Sequence, residues 1–200
     1  MLKAILFDFD GVLTIDKTGS ESITKYLAKE SKIPLDRIQK SYYRYNRALL
    51  YGETTHEEIW PSFCKDLGKE LDIKILNAAY EATKLDSEMI KYVKQLKEIY
   101  KIGMITDNKC DRINAILSYH QLQSYFDVVS ISAQYHSDKK EKEIFVGTMQ
   151  SLQVAAKECV FIDNSEQNLI VPQRLGMQTI LFDPDHRDIA QLNKRIEAMQ

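Results

Sequence analysis

The sequence predicts an α/β fold: a Rossmann-like parallel sheet flanked by helices, carrying an inserted all-helical cap. Short unbroken apolar runs recur along the chain, and helix-spaced apolar patterns lie between them. One long stretch, residues 15–84, holds helical patterns but no convincing strand. Strands that alternate with helices imply right-handed crossovers and a parallel sheet covered on both faces.

The first run, Ala4-Ile-Leu-Phe7, gives way to Asp8, Asp10 and Gly11 and reads as a strand buried on both faces. The helical stretch that follows is punctuated at Ile33-Pro34 and at Tyr51-Gly52-Glu53. Thr54 or Thr55, followed by Glu57 and Glu58, forms a capping box. Within it, Ser41–Arg47 reads as a helix that packs Tyr42, Tyr45 and Leu49 and leaves its arginines in water. The sharper alternative has Arg44 or Arg47 reaching a ligand when the insertion closes. Met89, Ile90, Val93, Leu96 and Tyr100 then recur at helical spacing behind Asp86 or Ser87, a candidate cap. Strand-like runs follow at Ile102–Ile105, Val128–Ile131, Cys159–Ile162 and Thr179–Phe182. Cys110, Ile113, Leu117 and His120 mark one intervening helix, and Ile189, Leu192, Ile196 and Met199 the last one. The expected organisation is a core of residues 1–14 and 85–200 with a helical cap at 15–84.

At 200 residues the chain is long enough for one large domain or one domain with an insertion. A net charge of −2 and a pI near 6.1 argue against a nucleic-acid binder that relies on bulk charge. Cys64, Cys110 and Cys159 are odd in number and far apart, which argues against a disulfide framework or a zinc knuckle. The first apolar run is broken by Asp8, unlike a signal peptide, and no run approaches a membrane span. The expectation is a cytoplasmic protein without a nucleic-acid or membrane partner; its oligomeric state is not legible. His56, His120, His136 and His186 show no metal-ligand spacing, and no glycine-rich nucleotide loop is present.

Ligands of open α/β sheets bind beyond the carboxyl ends of the strands. Asp8 and Asp10 stand there after the first strand, and Thr106, Asp107 and Asn108 after the second. Lys139, Lys140 and Lys142 follow the third, and Asp163 and Asn164 the fourth. Carboxylates that converge in one crevice repel each other unless a cation sits between them. All-oxygen ligation suits Mg²⁺, which takes one or two carboxylates together with water and a substrate phosphate. In an extended segment Asp8 and Asp10 point to the same side, so that one attacks while the other handles protons.

These residues resemble the haloacid dehalogenase (HAD) superfamily. Asp8-Phe-Asp10-Gly-Val-Leu-Thr14 matches its first motif, Ile105-Thr106 its second, Lys139 its third, and Phe161–Asn168 with Leu175-Gly-Met177 its fourth. The motifs thread through nearly all of the chain outside the insertion, which lies where that family places a helical cap. The resemblance implies that Asp8 is a nucleophile that forms an aspartyl-phosphate and that Asp10 is the general acid/base, held protonated in the substrate complex. It implies Mg²⁺ on the Asp8 carboxylate, the Asp10 backbone carbonyl and Asp163, with Thr106 and Lys139 on the phosphoryl oxygens. The activity implied is a phosphatase acting on a small phosphorylated metabolite. The alternatives are a phosphomutase of the beta-phosphoglucomutase type and a silent binding or regulatory protein. A dehalogenase fits less well, because Asp10 is present.

Five positions depart from the pattern. Asp107 stands where asparagine is usual, and Asn164 where a second acid is frequent. Lys140 and Lys142 replace prolines of the third motif and leave open which lysine meets the phosphate. Pro172 falls in a usually helical stretch, where a first helical turn accommodates it.

Overall fold

The two faces of the sheet separate at its first strand. In β1 (Ala4–Phe7) Ala4 and Leu6 face one apolar layer, and Ile5 and Phe7 face the other. This is the period-two alternation of a strand covered on both sides. The computed structural model describes residues 1–199. Its five strands are all parallel, in the order β3-β2-β1-β4-β5. The others are β2 (Lys101–Thr106), β3 (Val128–Ile131), β4 (Cys159–Asp163) and β5 (Gln178–Leu181). Chain order reverses beside β1, so the ends of β1 and β4 flank the switch point where such sheets bind ligands.

Four helices lie between β1 and the next core helix: α1 (Gly19–Ser31), α2 (Leu35–Leu50), α3 (His56–Leu67) and α4 (Lys74–Glu81). The chain leaves and re-enters the core through one isolated antiparallel bridge, Thr14 with Leu85. Ile15 N–H donates to the Lys84 carbonyl at 2.9 Å, and Asp86 N–H to the Leu13 carbonyl at 2.9 Å. The expected capping box forms with Thr55: its hydroxyl accepts from Glu58 N–H, and the Glu58 carboxylate accepts from Thr55 N–H. Buried Ile23, Leu27, Tyr42, Phe63 and Tyr80 of this insertion join the apolar layer on the Ile5/Phe7 face.

The same face is covered by α5 (Ser87–Lys97), α6 (Cys110–Tyr119) and α10 (Ile189–Glu197). Asp86 caps α5 by accepting from Glu88 and Met89 N–H, an interaction worth about 1 kcal/mol. The opposite face is covered by α8 (Glu143–Leu152), with Ile144 and Phe145, and by α9 (Glu166–Arg174), with Leu169. A short helix, α7 (Ser132–Tyr135), follows β3. Among the described residues no helix is long and apolar enough to cross a membrane.

Two local expectations need correction. Pro172 sits inside the second half of α9, not in its first turn. The ring removes one amide donor toward the preceding turn, and the helix ends two residues later at Arg174. The strand expected over Thr179–Phe182 begins one residue earlier, although Phe182 N–H still pairs with the Asp163 carbonyl at 2.9 Å.

Two of the insertion's contacts with the core lie away from the ends of β1 and β4. The turn after α2 meets α7: Ser132 Oγ donates to the Leu50 carbonyl at 2.7 Å, and His136 Nδ1 lies 2.7 Å from the Tyr51 carbonyl. Gly52 has a φ of +65°, and a Cβ there would strike the Ala133 carbonyl, so only glycine permits this approach. The second contact joins α3 and α4 to α6. His56 Nδ1 lies 2.6 Å from Asp111 Oδ2, and Tyr80 Oη donates to the same oxygen at 2.9 Å. Burial works to raise the Asp111 carboxyl, but His56, Tyr80 and the Arg112 N–H outweigh it and hold it below the ordinary range. A depressed carboxyl stabilises the fold above its unfolded pKa of about 4, and that contribution is lost as pH falls through the folded value. Asp111→Asn is therefore expected to lower Tm at neutral pH and to differ less from wild type below about pH 4. The effect is expected to be small, about 0.5 kcal/mol, because the Asp111 side chain is 47% exposed. Thermal unfolding of both proteins across that range checks the sign.

Candidate active site

The loop after β1 carries the first two acids. Asp8 N–H donates to the Ile162 carbonyl at 2.8 Å, which fixes Asp8 beside β4. The chain then turns over residues 10–13 and does not run on extended. Gly11 adopts a φ of +82°, and its N–H donates to Thr14 Oγ1 at 3.0 Å. Asp8 and Asp10 still line one crevice, but the turn places them there, not a shared strand face. Arg187 braces the loop from the far end of the chain, donating to the carbonyls of Gly11 and Val12 while its Nε meets Asp86 at 2.6 Å.

Lys139 is the lysine that reaches the acids. Its buried Nζ lies 2.7 Å from Asp8 Oδ1 and 2.8 Å from Asp163 Oδ2. Lys140 and Lys142 are exposed. Burial alone lowers the Lys139 ammonium, but Asp8, Asp163 and Asp107 outweigh it and hold it charged above the ordinary lysine range. Burial also pushes the Asp8 carboxyl well up, aided by Asp163 and opposed by Lys139. One ammonium does not compensate this group of carboxyls. Asp107, which stands where asparagine is usual, turns toward the lysine loop: its Oδ1 accepts from Lys139 N–H at 3.0 Å.

Asp163 closes β4. Its oxygens accept from Ser165 N–H at 2.8 Å and from Asn168 Nδ2 at 3.1 Å, which orients the carboxylate toward Lys139. Asp8 Oδ1 also accepts from Phe9 N–H at 2.7 Å. Among the described residues no donor reaches the other oxygen, Oδ2. Thr106, buried at the end of β2, lines the same crevice, and its hydroxyl accepts from Asn108 Nδ2 at 3.2 Å. The crevice, of about 450 Å³, thus brings together Asp8, Asp10, Thr106 and Lys139, with Asp163 behind the lysine.

Asp10 has partners that sequence reasoning missed. Arg112, fully buried on α6, donates Nη2 to Oδ1 at 2.8 Å and Nη1 to Oδ2 at 2.9 Å. Asn108 Nδ2 adds a third bond to Oδ2 at 2.7 Å. Both carboxylate oxygens of Asp10 are acceptors here, held by Arg112 and Asn108. To donate a proton to a leaving group, Asp10 must exchange one of these bonds. The available signal was the i, i+4 spacing of Asn108 and Arg112.

The start of α1 seats directly on this pair. A Cβ at Gly19 would lie 2.6 Å from Arg112 Cζ and 2.9 Å from Asp10 Oδ2. Alanine raises helix propensity by about 1 kcal/mol, but overpacking a buried ion pair costs about 1–3 kcal/mol. Gly19→Ala is expected to lower both Tm and activity; chemical denaturation and a hydrolysis assay measure the two effects.

Neither Arg44 nor Arg47 lines the crevice. Arg44 pairs with Asp66 at 2.8 Å, and Arg47 lies over the Tyr51 ring. From α2 it is Tyr43, Asn46 and Leu50 that face the crevice. The insertion also meets Lys109, whose buried Nζ donates to Ser20 Oγ at 2.9 Å and to Asn46 Oδ1 at 2.7 Å. Burial and the nearby Arg112 push the Lys109 ammonium down to about 7.

The sheet is doubly wound, and two carboxylates bridged by a buried lysine stand at its switch point, the ligand-binding position of the α/β class. The chain belongs to the haloacid dehalogenase-like hydrolases, whose family model matches residues 5–182. It is 24% identical over 195 residues to the glyceraldehyde 3-phosphate phosphatase of Methanopyrus kandleri, covering 90% of this chain and 83% of that protein. It is 22% identical over 196 residues to the D-ribitol-5-phosphate phosphatase of Bacteroides thetaiotaomicron, covering 93% of each. Its fold matches a HAD family enzyme of Bacteroides thetaiotaomicron, a mutant crystallised with magnesium and inorganic phosphate. That match has a TM-score of 0.73 and 21% identity and covers 92% of this chain and 95% of the other.

Proposed function

We propose that this protein is a Mg²⁺-dependent phosphatase of a small phosphorylated metabolite and works through an aspartyl-phosphate on Asp8. The observation that carries this reading is the buried Lys139 held between Asp8 and Asp163 on adjoining strand ends. The phosphatase relatives and the magnesium–phosphate complex of the structural neighbour support it.

In this reading Asp8 Oδ2, which no donor occupies, attacks phosphorus. Lys139 and the Thr106 hydroxyl hold the phosphoryl oxygens as charge develops on them. Asp10 gives its proton to the leaving oxygen and then takes one from the water that hydrolyses the intermediate. The donor set fits Mg²⁺: Asp8 and Asp163 supply hard carboxylate oxygens that face a single ammonium. Asp8, Asp163 and the Asp10 backbone carbonyl would hold the ion, which supplies electrophilic stabilisation of the phosphoryl group. Residues 15–84 serve as the cap over the crevice, and residues 1–14 and 85–200 as the core. By covering the site the cap excludes bulk water and selects small substrates.

Hydrolysis of para-nitrophenyl phosphate tests the reading. Turnover is expected with Mg²⁺ and is expected to stop when EDTA removes the ion, returning on re-addition. Turnover unaffected by EDTA would remove Mg²⁺ from the account.

A further inference from the structure

A second cavity of about 450 Å³ lies on the far side of Lys109 from the crevice. It opens between α2, α3 and α4 of the insertion and α6 and α7 of the core. Its size falls within the range of small-molecule sites. Its character differs from that of the crevice. Leu49, Ile73, Leu76 and Ala133 give it apolar walls. Asn77 also lines it, and among the described residues nothing hydrogen-bonds the Asn77 amide. Tyr80, His56 and Asp111 form a hydrogen-bonded polar end.

Lys109 is the one described residue that lines both spaces. Its ammonium rests on two neutral acceptors, Ser20 and Asn46, 5.5 Å from the centre of the Tyr42 ring, and no carboxylate stands within ion-pair distance. A lysine stem held only by neutral partners can swing aside at the cost of two hydrogen bonds, and a substrate hydroxyl or phosphate oxygen can replace those bonds.

We infer that the cavity receives the organic half of the substrate, which extends past Lys109 from the phosphate held at Asp8. This rests on the phosphatase reading above and deepens it. The substrates are phosphate monoesters of amphipathic alcohols, with an apolar body against Leu49, Ile73 and Leu76 and a hydrogen-bonding end toward Asn77. Compact polyol phosphates leave those apolar walls unfilled.

Binding of two non-hydrolysable probes, phenylbutylphosphonate and methylphosphonate, to the Mg²⁺-loaded protein tests this by calorimetry. The phenylbutyl probe is expected to bind about a hundredfold more tightly, as burial of an apolar arm predicts. Leu76→Trp, which fills the cavity from the insertion, is expected to bring the ratio of the two affinities near one. Ala133→Phe fills it from the core and is expected to do the same, should the first variant misfold by circular dichroism. Equal affinities in the wild type, or a ratio that survives in folded variants, overturns the inference. Failure of both probes to bind also overturns it, and the Mg²⁺-dependent hydrolysis assay then shows separately whether the phosphatase reading stands.

Discussion

Asp8→Asn is expected to abolish phosphatase turnover, by about 10⁴-fold or more, while leaving the protein folded and no less stable. The loss follows from chemistry. An amide nitrogen or oxygen does not form the acyl-phosphate that splits the reaction into two steps, and removing a nucleophile typically costs on this scale. The unchanged stability follows from electrostatics. Burial and Asp163 already work against a charged Asp8. The variant removes that charge, leaves Lys139 paired with Asp163 at 2.8 Å, and keeps an oxygen to accept from Phe9 N–H. A Tm equal to or above that of the wild type is the expected outcome, since active sites hold groups that stability alone would not select. A clear fall in Tm would mean that Asp8 is a structural ion-pair partner first.

Lys139→Met is expected to damage both stability and activity. It strands Asp8 and Asp163 in a buried site and also loses the charge that offsets the half-buried Asp107. Removing one partner of a buried pair costs about 3–5 kcal/mol, which for a chain of this length is a fall in Tm of roughly 10 °C. Turnover is expected to drop about 10²–10³-fold through lost stabilisation of phosphoryl charge. Mg²⁺ is expected to restore part of the lost Tm, because a cation bound to the same carboxylates replaces the missing charge. Lys140→Met and Lys142→Met are exposed controls, with expected effects within about 0.5 kcal/mol. Differential scanning calorimetry with and without Mg²⁺ resolves all three variants.

Local patterns in the sequence foretell much of this site. Each strand end is marked by an apolar run that stops at a polar cluster, and the switch-point topology then brings Asp8, Thr106, Lys139 and Asp163 into proximity. What stayed hidden depends on contacts between distant segments. Arg112 sits at a helix position flanked by Asp111 and Ile113, and nothing local shows that α1 will bury it at Gly19. The turn at residues 10–13 depends on the positive φ of Gly11, so alternation could not place Asp10. In α2, packing of Tyr42 and Leu49 inward rotates Tyr43, Asn46 and Leu50 onto the crevice. That phase is a matter of one residue: it leaves Arg44 and Arg47 in water, as the packing of Tyr42 and Leu49 predicts, and gives the crevice to their neighbours instead of to the arginines of the sharper alternative.

The central claim is the covalent step on Asp8. The most direct measurement mixes the protein with para-nitrophenyl phosphate and Mg²⁺, quenches in acid during turnover, reduces with borohydride and sequences the peptides by mass spectrometry. An acyl-phosphate on Asp8 is reduced to homoserine, so homoserine at position 8 that depends on both substrate and Mg²⁺ is the predicted result. Turnover in which Asp8 stays unmodified, or in which another residue carries the label, would contradict the account.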